Sequence, residues 1–543
     1  MDHFTAVQRL RSTELLELAL QYAIRDRMHG DYFYDPFEIE YAHSNRMQIV
    51  TELAQELSNP STYHVRNAYV FYAPKNEFCD RRMTYVQIKD LTVRYAIAIL
   101  FSSEIELEFH EGCFANRRAV GVEQQSRFTE DFATGGWARF AFWQRSQCAS
   151  NSVLLRTDLS SFYDSISHDY LIDSVCHHLR LPRDSDLVQL FRRLLNLNII
   201  SYCSLNGAIT NPKEVKHGLP IGDGVEGFLA NVYLKDVDDA MCNAGACYGR
   251  YVDDIRLFGN SRSEVIGHLR ILQERLLEKG LNLNASKTEV AENASGLSEL
   301  MSRSYFMLEY GLVENENAGE QTGPTIDRQV DDFDRSFEES DVLSGGSDAR
   351  DFCKFLSANR RNGQPMLARS ERRVWHVERL REVIYRWRGP TRHATWLIVQ
   401  TASYSDVESE TRYFAIDSIR ELLSDVALNT YAKYRIIHHL IKLRQPNQTS
   451  FRYFDGLPQD VRGAILGLVP SFLAANGFEL NLAGLLLART QNCPDSALHQ
   501  LYRDNCQLGC EPVANAISLI SNELPNCRIE ASESEPDEAF SPY

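Results

Sequence analysis

Apolar and polar positions alternate in three different ways along this chain. Over residues 7–28 the apolar residues recur at helical spacing, and the sequence then turns aromatic and acidic through Tyr32, Phe33, Tyr34, Phe37 and Tyr41. Residues 1–45 therefore read as an N-terminal helical segment. Residues 46–150 mix two periods, with a helix expected over 48–57 and a strand over Tyr69-Val70-Phe71-Tyr72. Within 151–310, short apolar runs end in acidic or glycine-rich turns, as strands and helices of an α+β unit do. Residues 311–347 are polar and carry Gly319, Gly323, Gly345 and Gly346, which marks a connector. Over 348–525 apolar residues return at helical spacing without strand alternation, as in 413–423 and 431–441. Such a succession of short helices predicts an all-α, helical-repeat-like domain, although no strict internal period is present. Residues 526–543 are acidic, contain proline and read as a disordered tail.

The most telling stretch is Tyr251-Val252-Asp253-Asp254, set between mostly apolar or small residues. It predicts a tight β-hairpin with two adjacent carboxylates at its tip. Like charges that close raise each other's pKa unless a cation lies between them. Hard carboxylate oxygens suit Mg²⁺, which completes its octahedron with substrate phosphates and water. A third carboxylate, Asp158, ends the apolar run Leu154-Leu155 and precedes a turn and a helix start. Gly218-Leu219-Pro220-Ile221-Gly222-Asp223-Gly224 opens a helical run over 225–241, and Gly222 there lets backbone approach a nucleotide closely. Gly280-Leu281-Asn282-Leu283-Asn284 reads as a short strand, with Lys287 just beyond it and within reach of a triphosphate.

The order and spacing of these segments resemble the palm of reverse transcriptases over roughly residues 45–310. Asp158 matches the motif A aspartate, residues 218–224 motif B, residues 251–254 motif C and residues 280–287 motif D. Residues 81–90 (RRMTYVQIKD) resemble the fingers, and residues 109–118 (FHEGCFANRR) a stretch shared by group II intron and retron-type enzymes. Motif B departs from the L-P-Q-G of those enzymes: Ile221 stands at the glutamine position, and Asp223-Gly224-Val225-Glu226 replaces the usual Ser-Pro. This departure is similar to the bacterial abortive-infection and related defence-associated reverse transcriptases, which also carry a helical C-terminal domain. The expected fold is thus fingers (46–150) and palm (151–310), followed by that domain standing where a thumb would be.

The resemblance implies DNA synthesis from dNTPs in antiphage defence, in some members without a template and primed on a protein hydroxyl. It implies Mg²⁺, with Mn²⁺ as the alternative ion, held by Asp158, Asp253, Asp254 and the Leu159 carbonyl. Tyr163, five residues after Asp158, takes the position of the side chain that crowds a ribose 2′-OH. Arg81 and Arg82 take the place of the basic grip on template and triphosphate. The implied partners are dNTPs, a single-stranded DNA product and, for members that copy, an RNA template. A helical array suits self-association, so a homo-oligomer is expected. One alternative is a retron- or intron-type enzyme copying a cognate RNA. Another is a degenerate polymerase acting as a binding module.

Composition changes this picture at one point. The 543 residues suffice for about two to four domains. Their net charge of −17 is unusual for a nucleic-acid binder, which needs clustered cations. The basic residues Arg81, Arg82, Lys89, Arg94, Arg117 and Arg118 gather in the expected fingers, which predicts segregation into a cleft. The same acidity disfavours loading a free primer, whereas a primer attached to the chain has a high effective concentration. Tyr32, Tyr34, Tyr41 and Tyr543 are the candidate priming hydroxyls. The twelve cysteines contain no C-x-x-C pair, and with no leader segment or membrane-length apolar run the expectation is reduced thiols in a cytoplasmic protein without membrane attachment. Arg388 and His393 fit a ribonuclease spacing, but Gly389-Pro390 would break the helix it requires.

Overall fold

The computed structural model describes residues 3–29, 35–75, 78–121, 123–130, 135–201, 213–214, 216–221, 224–292, 373–386, 390–403, 409–445, 448–450, 452–473, 475 and 478–490, with six single residues: Ala349, Phe352, Cys353, Leu356, Leu498 and Ile517. The expected connector and tail, Gly222, Tyr32, Tyr34 and Tyr543 lie outside the described residues.

The N-terminal half runs α1 (His3–Leu10), α2 (Thr13–His29), α3 (Pro36–Ser44), α4 (Arg46–Glu56), β1 (Ala68–Pro74), β2 (Asp80–Tyr85), α5 (Ile88–Ile105), α6 (Trp137–Ser150), β3 (Val153–Asp158), α7 (Phe162–Ser165), α8 (His168–Leu179), α9 (Asp186–Leu195), β4 (Asn198–Ser201), β5 (Lys213–Glu214), α10 (Gly224–Asn243), β6 (Cys247–Tyr251), β7 (Asp254–Gly259), α11 (Arg262–Glu278) and β8 (Glu289–Ala291). The palm sheet has the order β6-β7-β3-β8, and each neighbouring pair is antiparallel. The fingers sheet has the order β2-β1-β4-β5. Its strands β1 and β2 form an antiparallel hairpin, and β4 joins β1 in parallel.

The described helices α1 to α3 do not fold apart from the rest. Leu16, Leu20, Tyr22 and Ala23 of α2 share one buried core with α5, α8, α9 and α10. Asp35 starts α3 by accepting the Phe37 and Glu38 amides at 3.0 and 3.1 Å, with Pro36 in the first helical turn. Likewise α6, read by position as fingers, packs on the palm, where Trp143 and Phe140 meet Phe258 and Tyr251.

The C-terminal unit contains the helices Arg373–Arg386, Thr391–Ser403, Ser409–Ser424, Thr430–Leu440, Gln459–Leu466 and Phe478–Ala488. It is not all-α: strands Lys442–Gln445 and Gln448–Ser450 pair as an antiparallel hairpin. A two-residue Pro-Asn link between short polar runs is a turn signal that helical spacing on either side concealed. This unit packs directly on the fingers. Its helices share a second core with Tyr69, Phe71, Ala73, Met83 and Tyr85 of the fingers hairpin. The Phe71 and Tyr431 rings stack 6.4 Å apart, and Arg489 forks onto both Glu40 oxygens at 2.5 and 2.9 Å. No helix among the described residues is long and apolar enough to cross a membrane.

Candidate active site

The three motif carboxylates meet at one end of the palm sheet. Strand β3 delivers Asp158, which lies directly opposite Asp254 in the β3–β7 register. Strands β6 and β7 form the expected hairpin, closed between Tyr251 and Asp254 by Val252 and Asp253. Val252 has φ 58°, a left-handed conformation that a β-branched residue rarely adopts. Such a backbone costs on the order of 1–3 kcal/mol and persists only where its surroundings over-determine it.

Those surroundings are specific. Arg250, fully buried, forks onto Asp238 of α10 at 2.8 Å twice and reaches Asn231 Oδ1 at 2.8 Å and the Val252 carbonyl at 3.4 Å. Tyr248 donates its hydroxyl to the same Asp238 carboxylate. Segment 112–114 closes the free edge of β6, with Arg250 N–H donating to Gly112 O at 2.7 Å and Phe114 N–H to Arg250 O at 3.1 Å. A side chain at Gly112 would meet the Tyr248 carbonyl at 2.5 Å. Arg250 and Asp238 were not singled out from sequence. The available signal was an arginine inside an apolar hairpin and an aspartate inside an apolar helix, since unpaired charges are almost never buried.

The carboxylates divide by environment. Asp158 is buried, and its Oδ2 accepts from Lys287 Nζ at 2.8 Å. Asp254 has the Arg256 guanidinium 3.5 Å away. Asp253 is pushed up to about 7 by burial first, then by the charges of Asp158 and Asp254. Among the described residues no three His, Cys, Asp or Glu side chains already close a metal cage. The donor set nevertheless fits a hard divalent cation, because a partly buried carboxylate beside two others carries charge that only a proton or a cation relieves. Leu159 brings its backbone to the same place. It pairs with Leu283 across an antiparallel bridge flanked by Ser160 N–H to Asn282 O and Asn284 N–H to Asp158 O. In such a pair the Leu159 amide and carbonyl point the other way, towards the hairpin tip, where the amide donates to Asp253 O at 3.2 Å.

The remaining candidates are placed as follows. Lys287 sits on a 3₁₀ turn, Ala285–Lys287, not just past a strand; residues 280–284 make a single bridge, and β8 follows the lysine instead. Tyr163 is half-buried on α7, and its carbonyl accepts from Leu219 N–H at 2.9 Å. Gly218, with φ 87°, lets the start of motif B press on α7: a Cβ there would lie 3.2 Å from Asp164 Cα. Ile221 packs against the core shared by the fingers hairpin and the C-terminal helices, where burying a glutamine amide would cost hydration. Tyr41 lies half-buried on α3 against the N-terminal core.

The expected basic cleft is largely spent on internal contacts. Lys89 pairs with Glu52, Arg94 with buried Glu226 and Arg117 with Glu106, while buried Arg118 donates to Phe128 O. Clustering in sequence did not reveal these partners because each acid comes from a distant or differently phased segment. Arg82 reaches across to Asp164 of the palm at 3.3 Å. Arg81 alternates to the opposite face of β2, the one that carries Met83 and Tyr85 into the C-terminal core.

Residues 116–321 match the family described as "Reverse transcriptase (RNA-dependent DNA polymerase)". Those residues thus carry a reverse transcriptase domain. No curated protein matches the sequence significantly. Among solved structures it is similar to apo telomerase from Candida tropicalis truncated from its C-terminal domain, with 11% identity and TM-score 0.32 over 42% of this chain and 51% of that one. It is also similar to telomerase from Candida albicans in complex with a TWJ fragment of telomeric RNA, with 12% identity and TM-score 0.33 over 70% of this chain and 66% of that one. The chain therefore spans about half of the first telomerase chain and just under two thirds of the second.

Proposed function

We propose that this chain is a DNA polymerase of the reverse transcriptase type that transfers nucleotidyl groups from dNTPs to a hydroxyl, acting in antiphage defence as abortive-infection enzymes do. The observation that carries the polymerase reading is the convergence of Asp158, Asp253 and Asp254 at one sheet end, with Asp253 left short of positive charge. Asp158, Asp253 and the Leu159 carbonyl would hold Mg²⁺ or Mn²⁺, with Asp254 as the outer ligand. Such ions stabilise the charge on the attacking and leaving oxygens of an in-line displacement. Lys287 neutralises Asp158 between substrates and then turns to the triphosphate. Arg82 exchanges Asp164 for a phosphate; an exposed pair of this kind contributes under about 1 kcal/mol, so the exchange costs little. Ile221, apolar and packed where copying enzymes carry glutamine, supports synthesis with little or no template guidance.

Two experiments test finer points. The Tyr163 ring, half-buried on α7, would exclude a 2′-hydroxyl by overlap. Tyr163→Ala is expected to raise ribonucleotide use relative to dNTP use by about tenfold or more, since overlap of a few heavy atoms costs on the order of 1–3 kcal/mol. An unchanged ratio in competition assays means that Tyr163 only packs against Phe162. The second concerns priming on the chain itself. Mass spectrometry of nuclease-digested active protein is expected to find a nucleotide remnant on one side chain, with Tyr32, Tyr34, Tyr41 and Tyr543 as the candidates. Active protein bearing no remnant anywhere rejects protein priming.

A further inference from the structure

The hairpin that carries Arg82 has two faces with different owners. Strand β4 supports β1 only at Ala68, Tyr69 and Val70. Beyond them, among the described residues, Phe71 to Pro74 pair with β2 alone, and Arg82 lies opposite Tyr72 in that two-stranded part. A two-stranded ribbon is marginally stable by itself, so its pose is set by whatever covers it. Its covered face carries Phe71, Ala73 and Met83, buried against the C-terminal helices. Arg82 projects from the other face and crosses to Asp164, one residue after Tyr163. Tyr431 stacks on Phe71 beneath the ribbon, and Arg489 clamps α3 through Glu40 and lies 5.7 Å over the Phe37 ring, in the same core. That core also takes Ile221 of motif B, so one apolar mass backs both the ribbon and the glycine-rich loop.

We propose that Tyr431 and Arg489 of the C-terminal unit are positioning residues for nucleotide binding, holding the β1–β2 ribbon so that Arg82 meets the triphosphate of a dNTP. This rests on the polymerase reading, and it gives the C-terminal unit a definite role, because anything that shifts that unit changes nucleotide affinity through Arg82.

The test is a double-mutant cycle on the full chain, read as equilibrium affinity for a non-hydrolysable dATP analogue with Mg²⁺. Arg82→Ala is expected to weaken binding about tenfold, as loss of a charge-assisted contact does. Tyr431→Ala and Arg489→Ala are each expected to weaken it about threefold to tenfold when Arg82 is present, and to have no further effect in the Arg82→Ala background. Glu40→Ala reproduces Arg489→Ala and serves if Tyr431→Ala does not fold. A merely structural role predicts equal losses in both backgrounds, and that result overturns the proposal. So do an Arg82→Ala variant with unaltered affinity and an unaltered chain that does not bind the analogue. Coupled losses in a chain that fails to incorporate dNTPs sustain the proposal while refuting the polymerase reading.

Discussion

Asp253→Asn is expected to abolish dNTP incorporation and, in metal-free buffer at pH 8, to raise thermal stability. Loss of one of the carboxylates that would hold the catalytic ions removes the chemistry, by at least about a thousandfold if the ions act as in other two-metal sites. The stability gain follows from the direction of the shift. Burial and the neighbouring charges hold the folded-state carboxyl at about 7, above its ordinary 3.8. Folding therefore favours the protonated form. Stability from this group is fully present below about pH 4 and is lost progressively as pH rises to about 7. Asparagine keeps the shape without the charge. The variant should match the parent near pH 4 and exceed it above pH 7, by on the order of 2 kcal/mol because Asp253 and Asp158 share the charge. Melting curves in chelator at several pH values check this. Adding Mg²⁺ should stabilise the parent and leave the variant unmoved. Equal midpoints at pH 8 would mean that the carboxylates at the hairpin tip do not repel as their placement requires.

Removing residues 346–543 is expected to give an aggregating fragment. A helical array that stood apart from the fingers would leave, on deletion, a soluble but inactive or monomeric palm. The structure reverses that expectation, because the covered face of the fingers hairpin is apolar. Tyr69, Phe71, Met83 and Tyr85 are all buried beneath the C-terminal helices. Each burial contributes about 2 kcal/mol, and an exposed apolar patch on a strand edge invites association. Co-expression of the missing unit as a separate chain should restore solubility. A monodisperse fragment 1–345 would contradict the second core described above.

The Tyr251–Asp254 hairpin was legible in the sequence because its signals are local. Four residues in a row carry the turn and two charges, and Asp158 ends a run whose apolar pattern predicts a strand. Spacing also singles out Tyr163 and motif B, and the structure joins Tyr163 to Leu219 by a backbone hydrogen bond. What escaped depends on contacts between distant segments. Arg94 and Glu226 are 132 positions apart, so a count of cations in the fingers overstated those free for phosphate. Arg489 and Glu40 are 449 apart, and nothing local to either tells that the C-terminal unit folds back on α3. The alternation along Arg81-Arg82-Met83 was available, and it separates the two arginines onto opposite faces. Deciding which face met the palm required knowing what covered the other.

The central claim is that this constellation of carboxylates polymerises deoxynucleotides. The most direct measurement is incorporation of labelled dNTPs into acid-insoluble or protein-bound product by the purified full chain, with and without Mg²⁺, beside an Asp158→Asn control. The account predicts incorporation that requires the divalent ion, yields product degraded by deoxyribonuclease and disappears in the control. Incorporation that persists in Asp158→Asn, or a folded full chain that incorporates no dNTP with Mg²⁺ or Mn²⁺, with or without an RNA template and primer, would contradict it.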